Sequence, residues 1–226
     1  MQAVILAGGK GTRLLPLTLN VPKPMVPVRE KPFLEYQLRL LKRQGFVDIV
    51  LCVGYLAEMV KEHFGDGAKF GVNIAYSVED ALLGTAGALR LAHGRLADEF
   101  LLLNGDTYLD IPYRAVIDFH KKEHAAGTVV VYNNRLNLAD NNVILRGSHI
   151  ASYGASGAAN GVDAGVYVFN KEAVGRIDAG RQISLKDGIL DPLIGAGALR
   201  GYHTLQRYYD IGTFERLRVF EKEVAV

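Results

Sequence analysis

The sequence predicts an α/β fold: a Rossmann-like, mainly parallel sheet with helices on both faces, extended by a small β-rich region. Three observations predict it. Short apolar runs alternate with stretches of helical periodicity through residue 133. Two of those runs, Val4-Ile5-Leu6 and Phe100-Leu101-Leu102-Leu103, stop at glycine-containing loops. Beyond residue 133 the helical stretches give way to clustered asparagines, short β segments and a Gly/Ala/Ser-rich loop.

Taken in order, Val4 to Leu6 reads as a buried strand. Residues 33–43 carry apolar side chains at helical spacing, with Pro32 at the start and Gly45 just past the end, the usual punctuation of a helix. A strand is expected at Ile49–Val53, a helix from about Leu56 to Phe64 closed by Gly65, and a strand at Val72–Tyr76. Residues 86–92 read as a helix, residues 100–103 as a strand, and residues 113–123 as a helix. The run Thr128–Tyr132 is rich in β-branched residues and reads as a strand. Further β segments are expected at about 142–146, 149–153 and 166–169. Thr213 is placed to cap a last helix over 214–223.

The chain of 226 residues suits one domain, 1–226, whose core buries most of its apolar surface unaided. Residues up to about 133 form its nucleotide-binding half, and about 134–226 its acceptor half. The formal net charge is +2, from 26 Lys+Arg against 24 Asp+Glu. That balance points to neither nucleic acid nor membrane as partner. No apolar stretch reaches the roughly 18–20 residues of a membrane span. The single cysteine, Cys52, lies in the apolar run Ile49–Val53 and reads as a buried core residue rather than a nucleophile. With no secretory leader evident, the reducing cytoplasm is the expected compartment.

Four motifs carry chemistry. The first is Leu6-Ala7-Gly8-Gly9-Lys10-Gly11-Thr12-Arg13-Leu14. Glycines let the backbone approach a ligand closely, so that its N–H groups meet phosphate oxygens, and Arg13 adds a planar fork suited to phosphate. The spacing excludes the dinucleotide fingerprint, which needs glycine where Leu14 stands, and it excludes the P-loop. Read alone, the loop is equally a tight turn without a ligand. The second motif is Pro22-Lys23-Pro24, in which two prolines fix the backbone around one lysine. The third is Asn104-Gly105-Asp106, a carboxylate at a strand end. The fourth is Tyr208-Tyr209-Asp210-Ile211-Gly212-Thr213. Singly, each aspartate is also explained as a turn former.

Together and in this order, the four motifs resemble the sugar-nucleotidyltransferase family, the nucleoside-diphosphate-sugar pyrophosphorylases. The resemblance runs from residue 2 to about 220. It implies a nucleotide-diphospho-sugar transferase fold and the condensation of a sugar 1-phosphate with a nucleoside triphosphate. By resemblance, Arg13 and the amides of Leu6, Ala7, Gly8, Gly9, Gly11 and Thr12 hold the triphosphate, together with Asn104. Lys23 neutralises charge at the α-phosphate and the sugar phosphate, so Arg13 and Lys23 are the catalytic pair. Asp106 and Asp210 hold Mg²⁺. Glu79, Gly84 and Thr85 fall in a segment that borders base and ribose, where Glu79 accepts from the N1–H and 2-amino edge of guanine. Asp163 and Gly165 fall on the strand beside the sugar.

The chain departs from the family at one place. Many relatives carry Glu-Lys-Pro ahead of that strand, and its lysine meets the sugar phosphate. Here residues 153–161 contain no lysine, so Lys186, Arg181 or Lys23 is left to replace it, or the Ser/Asn/Gly loop binds phosphate through its own backbone amides and closes on substrate. No hexapeptide repeat follows the last helix, and acetyl transfer is not expected. The run as a whole looks most like short bacterial guanylyltransferases for mannose or D-glycero-D-manno-heptose 1-phosphate. The resemblance implies a cytoplasmic enzyme of nucleotide-sugar biosynthesis serving cell-envelope polysaccharide, and it is compatible with a homodimer. Uridylyltransferases for N-acetylmuramic acid or glucose 1-phosphate, cytidylyltransferases, and a non-catalytic nucleotide-sugar sensor are the alternatives.

Overall fold

The apolar run at the N-terminus becomes the strand around which the sheet is built. The computed structural model describes residues 1–154 and 157–224. In chain order its strands and helices are β1 (Gln2–Leu6), β2 (Pro27–Val28), β3 (Lys31–Pro32), α1 (Phe33–Arg43), β4 (Asp48–Val53), α2 (Ala57–Phe64) and β5 (Asn73–Val78). They continue with α3 (Gly84–Leu91), β6 (Glu99–Asn104), β7 (Thr107–Tyr108), α4 (Tyr113–Lys122), β8 (Gly127–Tyr132), β9 (Val143–Arg146) and β10 (His149–Tyr153). The last are β11 (Val162–Asn170), α5 (Lys171–Gly175), α6 (Asp191–Gly195), β12 (Leu199–Thr204), β13 (Tyr209–Asp210) and α7 (Phe214–Glu223).

The main sheet has nine strands in the order β5-β4-β1-β6-β11-β8-β12-β10-β9. The first four are mutually parallel, as the alternation of runs and helices predicts. Beyond β6 the sheet is mixed: β11 runs antiparallel to both neighbours, while β12 is parallel to β8. Strands beyond about residue 134 therefore continue the same sheet.

Strand alternation divides the core in two. Ala3 and Ile5 face one layer with α1, α2, α4 and α7. Val4 faces the other with α3, α5 and α6. Strands buried on both sides must be apolar throughout, and all six residues of β8 are buried.

The chain steps from β1 outward to β4 and β5, then crosses back to pair β6 on the other side of β1. Strand order reverses there, and open α/β sheets bind ligands beyond the carboxyl ends of the strands at such a point. The glycine loop leaves β1, and the Asn104–Asp106 turn leaves β6, at this crevice.

Most expected elements lie within a residue or two of their places. Helix α1 spans 33–43, bounded by Pro32 and Gly45. Thr213 caps α7, its Oγ1 accepting the Arg216 N–H at 3.3 Å. Strand β5 runs later than expected, to Val78, because its parallel ladder with β4 continues to Val53. Strand β11 is longer than the expected 166–169 because β6 and β8 pair with it on both sides. Leu56 stays outside α2, with φ of 53°. The short pairs β2–β3 and β7–β13 carry no alternating pattern and were not expected.

Candidate active site

A cavity of about 530 Å³ opens where β1 and β6 end. The glycine loop forms one wall. Gly11 has φ of 64°, and a side chain there would meet Lys23 Cβ at 2.9 Å, so glycine is needed on both counts. The amides of Gly8, Gly9 and Gly11 donate to no protein acceptor among the described residues and remain available to a ligand. Arg13 follows in a 3-10 turn, Thr12–Leu14, and lines the same cavity.

Lys23 begins a second 3-10 turn, Lys23–Met25, flanked by Pro22 and Pro24 as the motif suggests. Its side chain is 12% exposed, and its ammonium pairs with Asp106 Oδ2. Asp106 sits on the turn between β6 and β7. Gly105 lets that turn pass β1, since a Cβ would fall 2.3 Å from the Leu6 carbonyl oxygen. Gln37, fully buried on α1, holds the turn from below. Its Nε2 donates to the carbonyls of Asn104 at 2.8 Å and Thr107 at 2.7 Å.

Glu79 lines the cavity at the other end, with Leu82, Gly84 and Thr85. Its Oε2 accepts the Leu83 N–H at 2.9 Å. Its Oε1 lies so close to the backbone that a Cβ at Gly8 would stand 2.4 Å away. Burial raises the Glu79 carboxyl above its ordinary pKa, against the lowering by the Leu83 amide. Cys52 forms part of the floor; burial pushes its thiol up to about 12, as an inert core residue requires.

Asp210 is brought close by the β7–β13 pair, where the Ile211 N–H donates to the Asp106 carbonyl at 3.0 Å. Its carboxylate does not line the main cavity. Oδ1 accepts the Gly212 N–H at 2.7 Å, and Oδ2 accepts from Arg216 at 2.9 Å. It borders a second hollow of about 270 Å³ with Arg207 and Arg216. Arg13 connects the two, its guanidinium passing Gly212 closely enough that a Cβ there would lie 3.3 Å from Nη2.

A family model described as nucleotidyl transferase matches residues 2–141, the span that contains the glycine loop, Lys23, Glu79 and Asp106. The chain belongs to the nucleotidyl transferase family. Similar members include a UTP–glucose-1-phosphate uridylyltransferase from Synechocystis sp., 32% identical over 87% of this chain and 56% of its own length. A mannose-1-phosphate guanyltransferase from Gibberella zeae is 34% identical over 94% of this chain and 61% of its own. This chain thus spans about three fifths of the curated relatives it matches. The crystal structure of HddC from Yersinia pseudotuberculosis superposes with a TM-score of 0.85 at 25% identity, covering 98% of both chains.

The site residues expected beyond about residue 134 do not line this cavity. Asp163 is turned inward: Oδ2 accepts from the hydroxyls of Tyr153 and Tyr167, both at 2.6 Å, and Oδ1 accepts the Gly165 N–H at 2.8 Å. Burial raises its carboxyl pKa. Gly165, with φ of 70°, backs onto Thr107, where a Cβ would fall 2.8 Å from Oγ1. Lys186 pairs with Asp191 at 2.5 Å. Its stem passes Gly154, where a Cβ would lie 3.1 Å from Cε, so Lys186 stands beside the loop that lacks the expected lysine. Of that loop, Ala155 and Ser156 lie outside the described residues.

Sequence reasoning missed Gln37, Gln182 and Arg216. Gln37 left a signal: it sits three residues after Leu34 and four before Leu41, on the apolar stripe of α1. Gln182 lines the cavity from a distant loop, and nothing in its surroundings in the sequence marks it.

Proposed function

We propose that this chain condenses a nucleoside triphosphate with a sugar 1-phosphate, releasing pyrophosphate. The favoured substrates are GTP and mannose or D-glycero-D-manno-heptose 1-phosphate. The observation that carries the proposal is the convergence of Arg13, Lys23 and Asp106 with free loop amides around one strand-end cavity in a nucleotidyl transferase chain. A cavity of this size is in the range of small-molecule sites.

The chemistry follows from these groups. A sugar-phosphate oxygen attacks the α-phosphorus, a new P–O bond forms, and the bond to the β-phosphate breaks. A phosphomonoester is already an anionic nucleophile, so positioning and charge neutralisation matter more than a general base. Arg13 and the amides of Gly8, Gly9 and Gly11 grip the triphosphate. Lys23 neutralises the α-phosphate and the incoming phosphate. Lys186, beside Gly154, is the cation we assign to the sugar-phosphate side. Asp163 braces Tyr153 and Tyr167 there and, with Gly165, shapes the sugar subsite.

No group of three or more His, Cys, Asp or Glu gathers among the described residues. Mg²⁺ binds through one or two carboxylates plus substrate phosphates and keeps several waters. Asp106 and Asp210, hard-oxygen donors on paired strand ends, would hold it. Bound there, the ion would supply positive charge that stabilises the leaving pyrophosphate. Glu79 accepts from the N1–H and 2-amino edge of guanine. No helix among the described residues is long and apolar enough to cross a membrane. We place the enzyme in the cytoplasm, where nucleoside triphosphates are supplied, making activated sugar for cell-envelope polysaccharide.

The test is pyrophosphate release with four triphosphates against mannose, heptose, glucose and N-acetylmuramic acid 1-phosphates. Turnover is expected to be greatest with GTP and a manno-configured sugar. No release with any pair would overturn the proposal.

A further inference from the structure

We infer that Gln182 reads the base: its carboxamide donates to the acceptor edge of the purine, completing with Glu79 the recognition of guanine. This rests on the proposed nucleotidyl transfer and extends it to a residue from the far half of the chain.

Gln182 lines the cavity on the side of Glu79, Leu82, Gly84 and Thr85. Its side chain is exposed and makes no hydrogen bond among the described residues. Its backbone, by contrast, is fixed on both sides. The Ile183 N–H donates to the Leu83 carbonyl at 2.8 Å, and the Ile183 carbonyl accepts from Ala86 at 3.1 Å and Gly87 at 3.3 Å. The Leu185 N–H donates to Thr85 Oγ1 at 2.6 Å. The docking is close enough to require two glycines of α3. A Cβ at Gly84 would lie 2.5 Å from the Ile183 oxygen, and one at Gly87 would lie 2.6 Å from the Arg181 oxygen. An unpartnered carboxamide that lines a cavity, carried next to a pinned backbone, is available to a ligand.

The same docking decides which part of the nucleotide lies here. The amides of Leu83, Ala86 and Gly87 are taken up by Glu79 and the Ile183 carbonyl, which leaves the start of α3 with fewer donors for an anion. Leu82, Ala88 and Cys52 make this end of the cavity apolar. The phosphates therefore lie at the Arg13 and Lys23 end, and the flat base lies between the apolar floor and Gln182. Glu79 in its ionised form only accepts hydrogen bonds, so it serves the donor edge of guanine, N1–H and the 2-amino group. O6 needs a donor, and the Gln182 amide supplies one.

The test is calorimetric binding of nucleotides to the full chain, wild type against Gln182→Ala, which needs no turnover. GTP and ITP both carry O6 and should each bind about 3- to 10-fold more weakly to the variant, the equivalent of one net hydrogen bond. The triphosphate of 2-aminopurine riboside lacks O6 and should bind both proteins equally. In turnover, KM for GTP should rise while kcat stays within about 2-fold, because the contact is made equally in ground and transition states. Equal weakening of all three nucleotides, a changed ratio of GTP to dGTP affinity, or unchanged binding would each overturn the role of Gln182. Nucleotide binding without pyrophosphate release would overturn the reaction and leave Gln182 to stand or fall on its own result.

Discussion

Replacing Gln37 with methionine should unhinge the Asp106 turn without changing the identity of any side chain that lines the cavity. Gln37 is fully buried, and its Nε2 is the donor for two main-chain carbonyls, those of Asn104 and Thr107, on either side of Asp106. Methionine fills a similar volume but donates nothing. Each carbonyl left without a donor costs about 1–3 kcal/mol, hence about 2–6 kcal/mol for the pair. An offset applies, since Gln37 Oε1 has no partner among the described residues. Removing that orphan acceptor returns about 1–2 kcal/mol. The net loss is therefore about 3 kcal/mol. In a chain of 226 residues, where 1 kcal/mol shifts Tm by about 2–4 °C, that is a fall of about 6–12 °C. Urea unfolding should give the free energy, and pyrophosphate release should show kcat falling more than KM changes, because the displaced group is a catalytic carboxylate. A stability change under about 0.5 kcal/mol with normal kcat would show that the turn holds itself, and the clamp would be refuted.

Three other outcomes are expected. Asp106→Asn should lower turnover by about 100-fold or more with the circular-dichroism spectrum unchanged; near-normal turnover would remove Asp106 from the catalytic groups. Glu79→Gln should weaken GTP more than UTP, and equal weakening would mean that Glu79 only braces Gly8, Gly54 and Leu83. His120 is buried between Thr128 and Asn170, and burial holds its pKa below the ordinary 6.5 despite the Asn170 hydrogen bond. As pH falls below 6.5 the unfolded chain takes up a proton that the folded chain refuses, so this contribution to stability is complete above that pH and lost below it. His120→Gln should flatten the fall of Tm between about pH 7 and 5; an unchanged slope would place the acid sensitivity elsewhere.

What was legible in the sequence is what local physics determines. Pro32 and Gly45 bound α1 because one lacks a donor the first turn does not need and the other tolerates the conformation after the last. The strands were legible because a sheet covered on both faces demands apolar runs. Arg13, Lys23 and Asp106 stood out because each is held by glycine or proline. The encounters between distant segments were not legible. Pairing of β7 with β13 joins two-residue strands separated by about a hundred positions, and no periodicity can mark so short a strand. Gln182 is a polar residue in a polar loop until Ile183 is docked on α3. Gly84 falls in the base-bordering segment, and what requires glycine there and at Gly87 is the backbone of Ile183 and Arg181 lying against them.

Under the proposed function, three cations that rest on carboxylates could change partners. Lys23 rests on Asp106, Arg216 on Asp210 and Lys186 on Asp191. A lysine as little exposed as Lys23 would be costly unpaired, so without substrate the carboxylate stabilises the fold by holding it. A triphosphate brings several negative charges to the same place. Under the proposed function the ammonium would turn to phosphate, and the freed Asp106 oxygens would be available to hold a divalent cation. Each exchange keeps local charge near balance, in keeping with a chain whose formal net charge is only +2. Arg13 makes no ion pair among the described residues. It needs no such release and is the group free to meet the triphosphate first. Under the proposed function, the pairing of Lys23 with Asp106 would be the resting form of two groups that separate when substrate binds.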